Sequence, residues 1–82
     1  MFTIYVANLS YSTTEDALRS LFAQYGTVEG VNIIRDWGSG LSRGFGFVDM
    51  TNEAEGQQAI AGLDGKEFEG RKLFVTAVRP KS

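Results

Sequence analysis

The chain has 82 residues, a formal net charge of −2, and neither histidine nor cysteine. The lack of those two residue types excludes disulfides, thiolate nucleophiles, imidazole bases and zinc sites built on Cys and His. The length predicts one domain over residues 1–82. Because the sequence has no membrane-spanning apolar run and no signal-peptide pattern, we expect a cytoplasmic protein, or a nuclear one in a eukaryote.

The first half of the chain predicts a strand, a helix and a second strand. Residues 2–7 alternate between two faces, as in a half-buried strand. Thr13 or Thr14 then caps a helix whose apolar residues recur at helical spacing. Residues 28–35 read as the second strand, with a bulge near Gly30.

Residues 43–50 form the most informative stretch, and they predict a third strand with two different faces. Phe45, Phe47 and Asp49 point to one side. Smaller and aliphatic residues suited to a core point to the other. Two phenylalanines on the outer side of a strand are costly to leave in water, so they suggest a binding surface.

The second half adds a helix capped by Asn52 and a last strand over residues 71–78. The order strand, helix, strand, strand, helix, strand predicts an α+β, ferredoxin-like βαββαβ fold. Two amphipathic helices cover only one face of a four-stranded sheet. The other face is expected to carry Tyr5, Asn32, Ile34, Phe45, Phe47, Phe74 and Thr76.

Two motifs resemble those of a known family. Arg43-Gly-Phe-Gly-Phe-Val-Asp-Met50 is similar to the octamer of the RNA recognition motif (RRM) family, and Ile4-Tyr-Val-Ala-Asn-Leu9 to its hexamer. The resemblance implies an antiparallel sheet in the order 4-1-3-2, with both motifs on the central strands. The chain also resembles the small single-RRM RNA-binding proteins of bacteria.

The resemblance implies roles for the motif residues. Tyr5 and Phe45 would stack on bases, Phe47 would pack against ribose, and Arg43 would pair with a phosphate. Independently of the family, an aromatic ring stacks on any base, and only single strands offer their bases freely. Base-edge hydrogen bonds would come from Asn32 and Thr76, and Ile34 would shield the rings.

Several assignments stay open. Trp37 either stacks on RNA or folds back onto the sheet. Phe74 either contacts RNA or only covers its neighbour. Arg43 either pairs with a phosphate or is a solvated charge at the end of a strand. Arg79 and Lys81 either add phosphate contacts or belong to a frayed, soluble end of the chain. Met50 stands where the octamer usually ends in an aromatic residue, and we expect it to point inward.

These patterns favour a monomeric, non-enzymatic module that binds single-stranded RNA without a cofactor or metal. Asp49 is one carboxylate beside the aromatic residues, without a partner for acid–base chemistry, and the glycines match no phosphate-binding loop. Two alternatives remain. The same face would also stack single-stranded DNA, or it would hold a protein partner, as the net charge of −2 would favour.

Overall fold

The computed structural model describes residues 1–35, 38 and 42–78, and for residues 42 and 43 it describes the backbone alone. Two helices and six strands lie in this part of the chain. In chain order they are β1 (Phe2–Ala7), α1 (Glu15–Ala23), β2 (Val28–Arg35), β3 (Ser42–Met50), α2 (Glu53–Leu63), β4 (Glu67–Phe68), β5 (Arg71–Lys72) and β6 (Phe74–Ala77).

Four strands form one antiparallel sheet in the order β2-β3-β1-β6. Counted without the short β4 and β5, this is the predicted 4-1-3-2 order, and it confirms the ferredoxin-like α+β fold. β1 lies between β3 and β6, so that Tyr5 is opposite both Phe47 and Thr76. The pairing of β2 with β3 shifts between Val28 and Gly30, which confirms the predicted bulge.

The last strand was predicted too long. Residues 71 and 72 pair with residues 67 and 68 in a separate two-stranded sheet, and the strand of the main sheet begins only at Phe74. Glu69 and Gly70 connect β4 to β5 with φ values of 52° and 84°. Positive φ at both positions is what a tight two-residue hairpin turn requires, so this local turn closes before the chain joins the sheet.

Each helix begins at a side chain that caps a backbone N–H group. Thr14 Oγ1 accepts from Ala17 N at 3.1 Å, and Asn52 Oδ1 accepts from Glu55 N at 3.0 Å. Of the two threonines that compete for the first cap, Thr14 therefore takes it. Thr13 is buried instead, and its hydroxyl donates to the Glu69 carboxylate.

Replacing the second cap gives a first prediction. Asn52→Ala leaves the N–H group of Glu55 without its side-chain acceptor, and we expect the free energy of unfolding to fall by about 1 kcal/mol. Urea unfolding of both proteins measures this difference. Asn52→Asp keeps an acceptor oxygen and should stay close to the original protein. An Asn52→Ala variant as stable as the original would contradict the assigned cap.

The core lies between the helices and one face of the sheet. Its members are buried apolar side chains from both layers and from two connecting segments: Ile4, Val6, Leu9, Leu18, Phe22, Ile33, Val48, Met50, Ala59, Leu63, Leu73 and Val75. The inward position of Met50 is confirmed. Because β1, β3 and β6 alternate with a period of two, burying this set turns the intervening residues to the opposite face.

Candidate nucleic-acid interface

Four aromatic rings lie together on the sheet face that the helices leave uncovered. We call them the ring cluster: Tyr5, Phe45, Phe47 and Phe74. The ring centroid of Tyr5 lies 5.8 Å from that of Phe45, 5.6 Å from Phe47 and 6.3 Å from Phe74. Phe45 and Phe47 meet edge to face at 6.4 Å. These spacings are typical of favourable aromatic pairs, and Tyr5 is the centre of the cluster.

Strand pairing assembles the cluster from three strands. Tyr5 on β1 is directly opposite Phe47 on β3. Ala7, two residues further along β1, lies opposite Phe45 on one side and Phe74 on the other. The short side chain of Ala7 therefore lies between these two rings.

The rings differ in how much surface they leave open. Tyr5, Phe45 and Phe47 are half-buried, although no helix covers them, because they pack against one another. Phe74 on the edge strand remains 54% exposed while its ring contacts Tyr5. Phe74 therefore covers its neighbour and also presents a large apolar surface of its own.

Polar groups flank the ring cluster on both sides. Asn32 on β2 lies opposite Phe47, and Thr76 on β6 lies opposite Tyr5; both are exposed. Ile34 on β2 is half-buried. The structure thus brings Asn32 and Thr76 into the same row as two of the rings, where their hydrogen-bonding groups can reach the edge of a stacked base.

Three predicted site residues have side chains that the structure does not describe. Trp37 and Arg79 lie outside the described residues. Arg43 belongs to β3 by its backbone, but its side chain is likewise outside the described part. Their contacts with a base or a phosphate stay predictions.

The sheet face also holds a polar pair that sequence reasoning did not find. Thr3 Oγ1 donates to Asp49 Oδ1 at 2.7 Å across the β1–β3 pairing. The two residues lie one row beyond Tyr5 and Phe47. Alternation put Asp49 on this face, but the contact depends on the register between strands that are more than 40 residues apart in sequence.

Asn8, the fifth residue of the hexamer, anchors the β4–β5 hairpin beside the cluster. It adopts a φ of 62°, a conformation that asparagine tolerates better than most residues. Its Nδ2 donates to the carbonyl of Lys72 at 2.6 Å, and its Oδ1 accepts from Arg71 at 2.9 Å. These bonds position the chain immediately before Phe74.

Tyr11, which follows the hexamer, is 67% exposed, and the sequence patterns did not identify it as a site residue.

Other kinds of site find little support in the described residues. Among residues 1–35, 38 and 42–78, no group of three or more acidic side chains is placed to hold a metal ion. No helix in that part of the chain is long and apolar enough to cross a membrane. What the face offers is four adjacent π-surfaces with hydrogen-bonding groups around them, which suits flat, unpaired bases.

Comparison with known proteins agrees with this geometry. The sequence model of the RNA recognition motif family matches residues 4–73 of this chain. A protein of Nostoc sp., named "Putative RNA-binding protein RbpA", is 51% identical over 79 residues, which cover 96% of this chain and 78% of that protein.

Solved structures show the same similarity. The crystal structure of the RNA-binding protein PG1 superposes with a TM-score of 0.93 at 44% identity, covering 99% of this chain and 100% of that one. The protein in a Sex-lethal protein–RNA complex superposes with a TM-score of 0.90 at 34% identity, covering 98% of this chain and 48% of that one.

Proposed function

This chain belongs to the RNA recognition motif family and is an RNA-binding module, and we propose that it binds single-stranded RNA by stacking bases on the ring cluster, without catalysing a reaction. The observation that carries the proposal is the position of the cluster. Four rings on the uncovered sheet face, centred on Tyr5, leave apolar surface in contact with water. Such a patch costs free energy in a free monomer and is typical of a binding surface.

The physics of stacking supports a single strand as the ligand. Each base stacked on an aromatic side chain contributes about 1–3 kcal/mol, so two or three rings are enough for useful affinity. Bases inside a duplex are already stacked on each other and are not presented to such a plane. Arg43 would add an orienting phosphate contact beside the rings.

We further propose that the chain acts as one domain and as a monomer. On each edge strand of the sheet, an acidic side chain accepts a hydrogen bond from a backbone N–H group. That N–H group is then not available to pair with a strand of a second copy. On β2, the N–H group of Ile33 donates to Glu15 Oε2 at 3.1 Å. On β6, the N–H group of Val75 donates to Asp64 Oδ1 at 2.9 Å.

Titration with matched oligonucleotides tests the proposal. An eight-nucleotide RNA of mixed sequence is added to the isotope-labelled protein as a single strand, as a duplex and as the DNA analogue. We expect the single-stranded RNA to shift the NMR signals of the ring cluster, because stacked bases change the magnetic environment of those residues. The single-stranded DNA should shift the same signals, because stacking does not need the 2′-hydroxyl group, and the duplex should leave these signals in place.

Binding without any shift on the sheet face would contradict the proposal. Concentration-dependent self-association through the ring cluster, with no response to RNA, would point instead to a protein-binding module on the same face.

The salt dependence of binding is a further prediction. With a net charge of −2, stacking should supply more of the affinity than phosphate contacts. For one or two phosphate contacts on a single strand, the slope of log K against log salt concentration is expected to be about −0.7 to −1.4. Titrations at several salt concentrations measure the slope. A slope several times steeper would show that phosphate contacts dominate instead.

A further inference from the structure

The row of residues next to the ring cluster contains a carboxylate held in one orientation. Thr3 and Asp49 are directly opposite each other and half-buried, and the threonine hydroxyl donates to Asp49 Oδ1 at 2.7 Å. Along the strands this row lies about 7 Å from Tyr5 and Phe47, since a strand advances 3.3–3.4 Å per residue. A base stacked on Tyr5 can therefore extend its edge toward Asp49.

The other oxygen of this carboxylate faces an opening. On β2 the residue opposite Asp49 is Gly30, which has no side chain to fill the space. Among the described residues, apart from its neighbours in the chain, a Cβ atom built at Gly30 would have only Asp49 Oδ2 within 4 Å, at 3.8 Å. In the part of the chain that the structure describes, Oδ2 accepts no hydrogen bond and Asp49 has no cationic partner. We call this feature the Asp49 notch: Thr3, Gly30 and Asp49.

A negative charge is an unexpected neighbour for a surface that binds a polyanion. Beside a phosphate it would repel the ligand, and beside the apolar rings it gains no packing energy. A carboxylate is, however, a strong acceptor for the N–H groups of a base, and charge-assisted hydrogen bonds are about twice as strong as neutral ones. The orienting bond from Thr3 leaves Oδ2 and the remaining lone pair of Oδ1 available for such donors.

We propose that the Asp49 notch recognises guanine in the bound RNA, an inference that rests on the proposed function. The Watson–Crick edge of guanine carries two adjacent donors, N1–H and the N2 amino group, which match the two oxygens of one carboxylate. Adenine and cytosine each offer an amino group next to a ring nitrogen that is an acceptor, and the carboxylate repels that nitrogen. Uracil offers a single N–H group between two carbonyls.

Octauridylate with one central nucleotide replaced by G, inosine, A or C provides the test. Inosine keeps the N1–H group of guanine but lacks its N2 amino group. For the original protein we expect the G oligonucleotide to bind about tenfold more tightly than the A oligonucleotide, with inosine in between, as for other paired hydrogen bonds to a base. In Asp49→Asn, which keeps the shape and an acceptor for Thr3, the preference for G should disappear.

Two further variants separate recognition from charge and from positioning. Asp16→Asn changes the net charge equally but lies exposed on α1, on the covered side of the sheet, and should keep the preference for G. Thr3→Val keeps the side-chain shape and removes the hydroxyl that orients Asp49. As the loss of a positioning residue, it should reduce the preference for G without abolishing binding to octauridylate.

The outcomes distinguish this inference from the proposed function. Equal binding of the G and A oligonucleotides by the original protein would overturn guanine recognition while leaving stacking intact. An Asp49→Asn variant that keeps the preference for G would also overturn guanine recognition. The same holds if this variant binds every oligonucleotide more tightly by the same factor, because only the net charge would then matter. If none of the oligonucleotides binds the original protein, the proposed function itself fails, and the inference fails with it.

Discussion

Replacing Tyr5 by alanine is expected to weaken binding of single-stranded RNA by about five- to 150-fold, since one base–ring stack contributes about 1–3 kcal/mol. Tyr5 should have the largest effect of the cluster because its ring contacts all three others, at centroid distances of 5.6–6.3 Å. Its removal deletes one stacking surface and also the packing that holds Phe45 and Phe47 in place. Fluorescence anisotropy with a labelled octanucleotide measures the change.

Tyr5→Phe is the matched control for this experiment. It removes only the hydroxyl, keeps the π-surface and should bind RNA nearly as well as the original protein. A circular dichroism spectrum and an unfolding curve for each variant show whether the fold is retained. If a folded Tyr5→Ala variant binds RNA with unchanged affinity, the stacking role assigned to the ring cluster is wrong.

Gly46→Ala is expected to lower the free energy of unfolding by about 1–3 kcal/mol, as overpacking of a tight site does. A Cβ atom at this position would lie 2.7 Å from the carbonyl oxygen of Asn32 and 2.9 Å from the Cα atom of Ile33. Both atoms belong to the backbone of β2, which cannot move away without disturbing its pairing with β3. Chemical denaturation measures the loss.

Gly30→Ala is the matched control, because the same substitution on the neighbouring strand meets only an ordinary contact at 3.8 Å. Its stability should stay within about 0.5 kcal/mol of the original protein. Gly46 lies between Phe45 and Phe47, so a shift of β3 away from β2 would also displace both rings. RNA affinity should therefore fall in Gly46→Ala even where the protein remains folded. Equal stability of the two alanine variants would contradict the close approach of the strands.

The substitutions act on different layers of the molecule. Asn52→Ala weakens folding alone, and Gly46→Ala weakens folding and also displaces two rings. Substitutions of Tyr5 and of Asp49 act on the exposed face. Measuring stability and affinity for every variant therefore tells a lost contact with RNA from a weakened fold.

Much of this architecture is encoded locally and was predictable from the sequence. In residues 43–50 the alternation of large and small side chains assigns Phe45 and Phe47 to one face and Val48 and Met50 to the other, because successive side chains of a strand point in opposite directions. The caps, the bulge at Gly30 and the order of the elements follow from similarly local preferences. The resemblance to the RRM motifs added the strand order, which no local pattern determines.

The remaining features required the tertiary structure because they depend on residues that are distant in the chain. The break before Phe74 arises from a hairpin turn that competes with a continuous strand, and Asn8 fixes this hairpin from 64 residues away. The contact between Thr3 and Asp49, and the opening at Gly30 beside it, exist only once three strands adopt one register. By itself, the sequence determined that aromatic rings occupy an uncovered face. The folded sheet decided that they meet around Tyr5 and that a carboxylate lies beside them, since strand register is set by long-range pairing and core packing together.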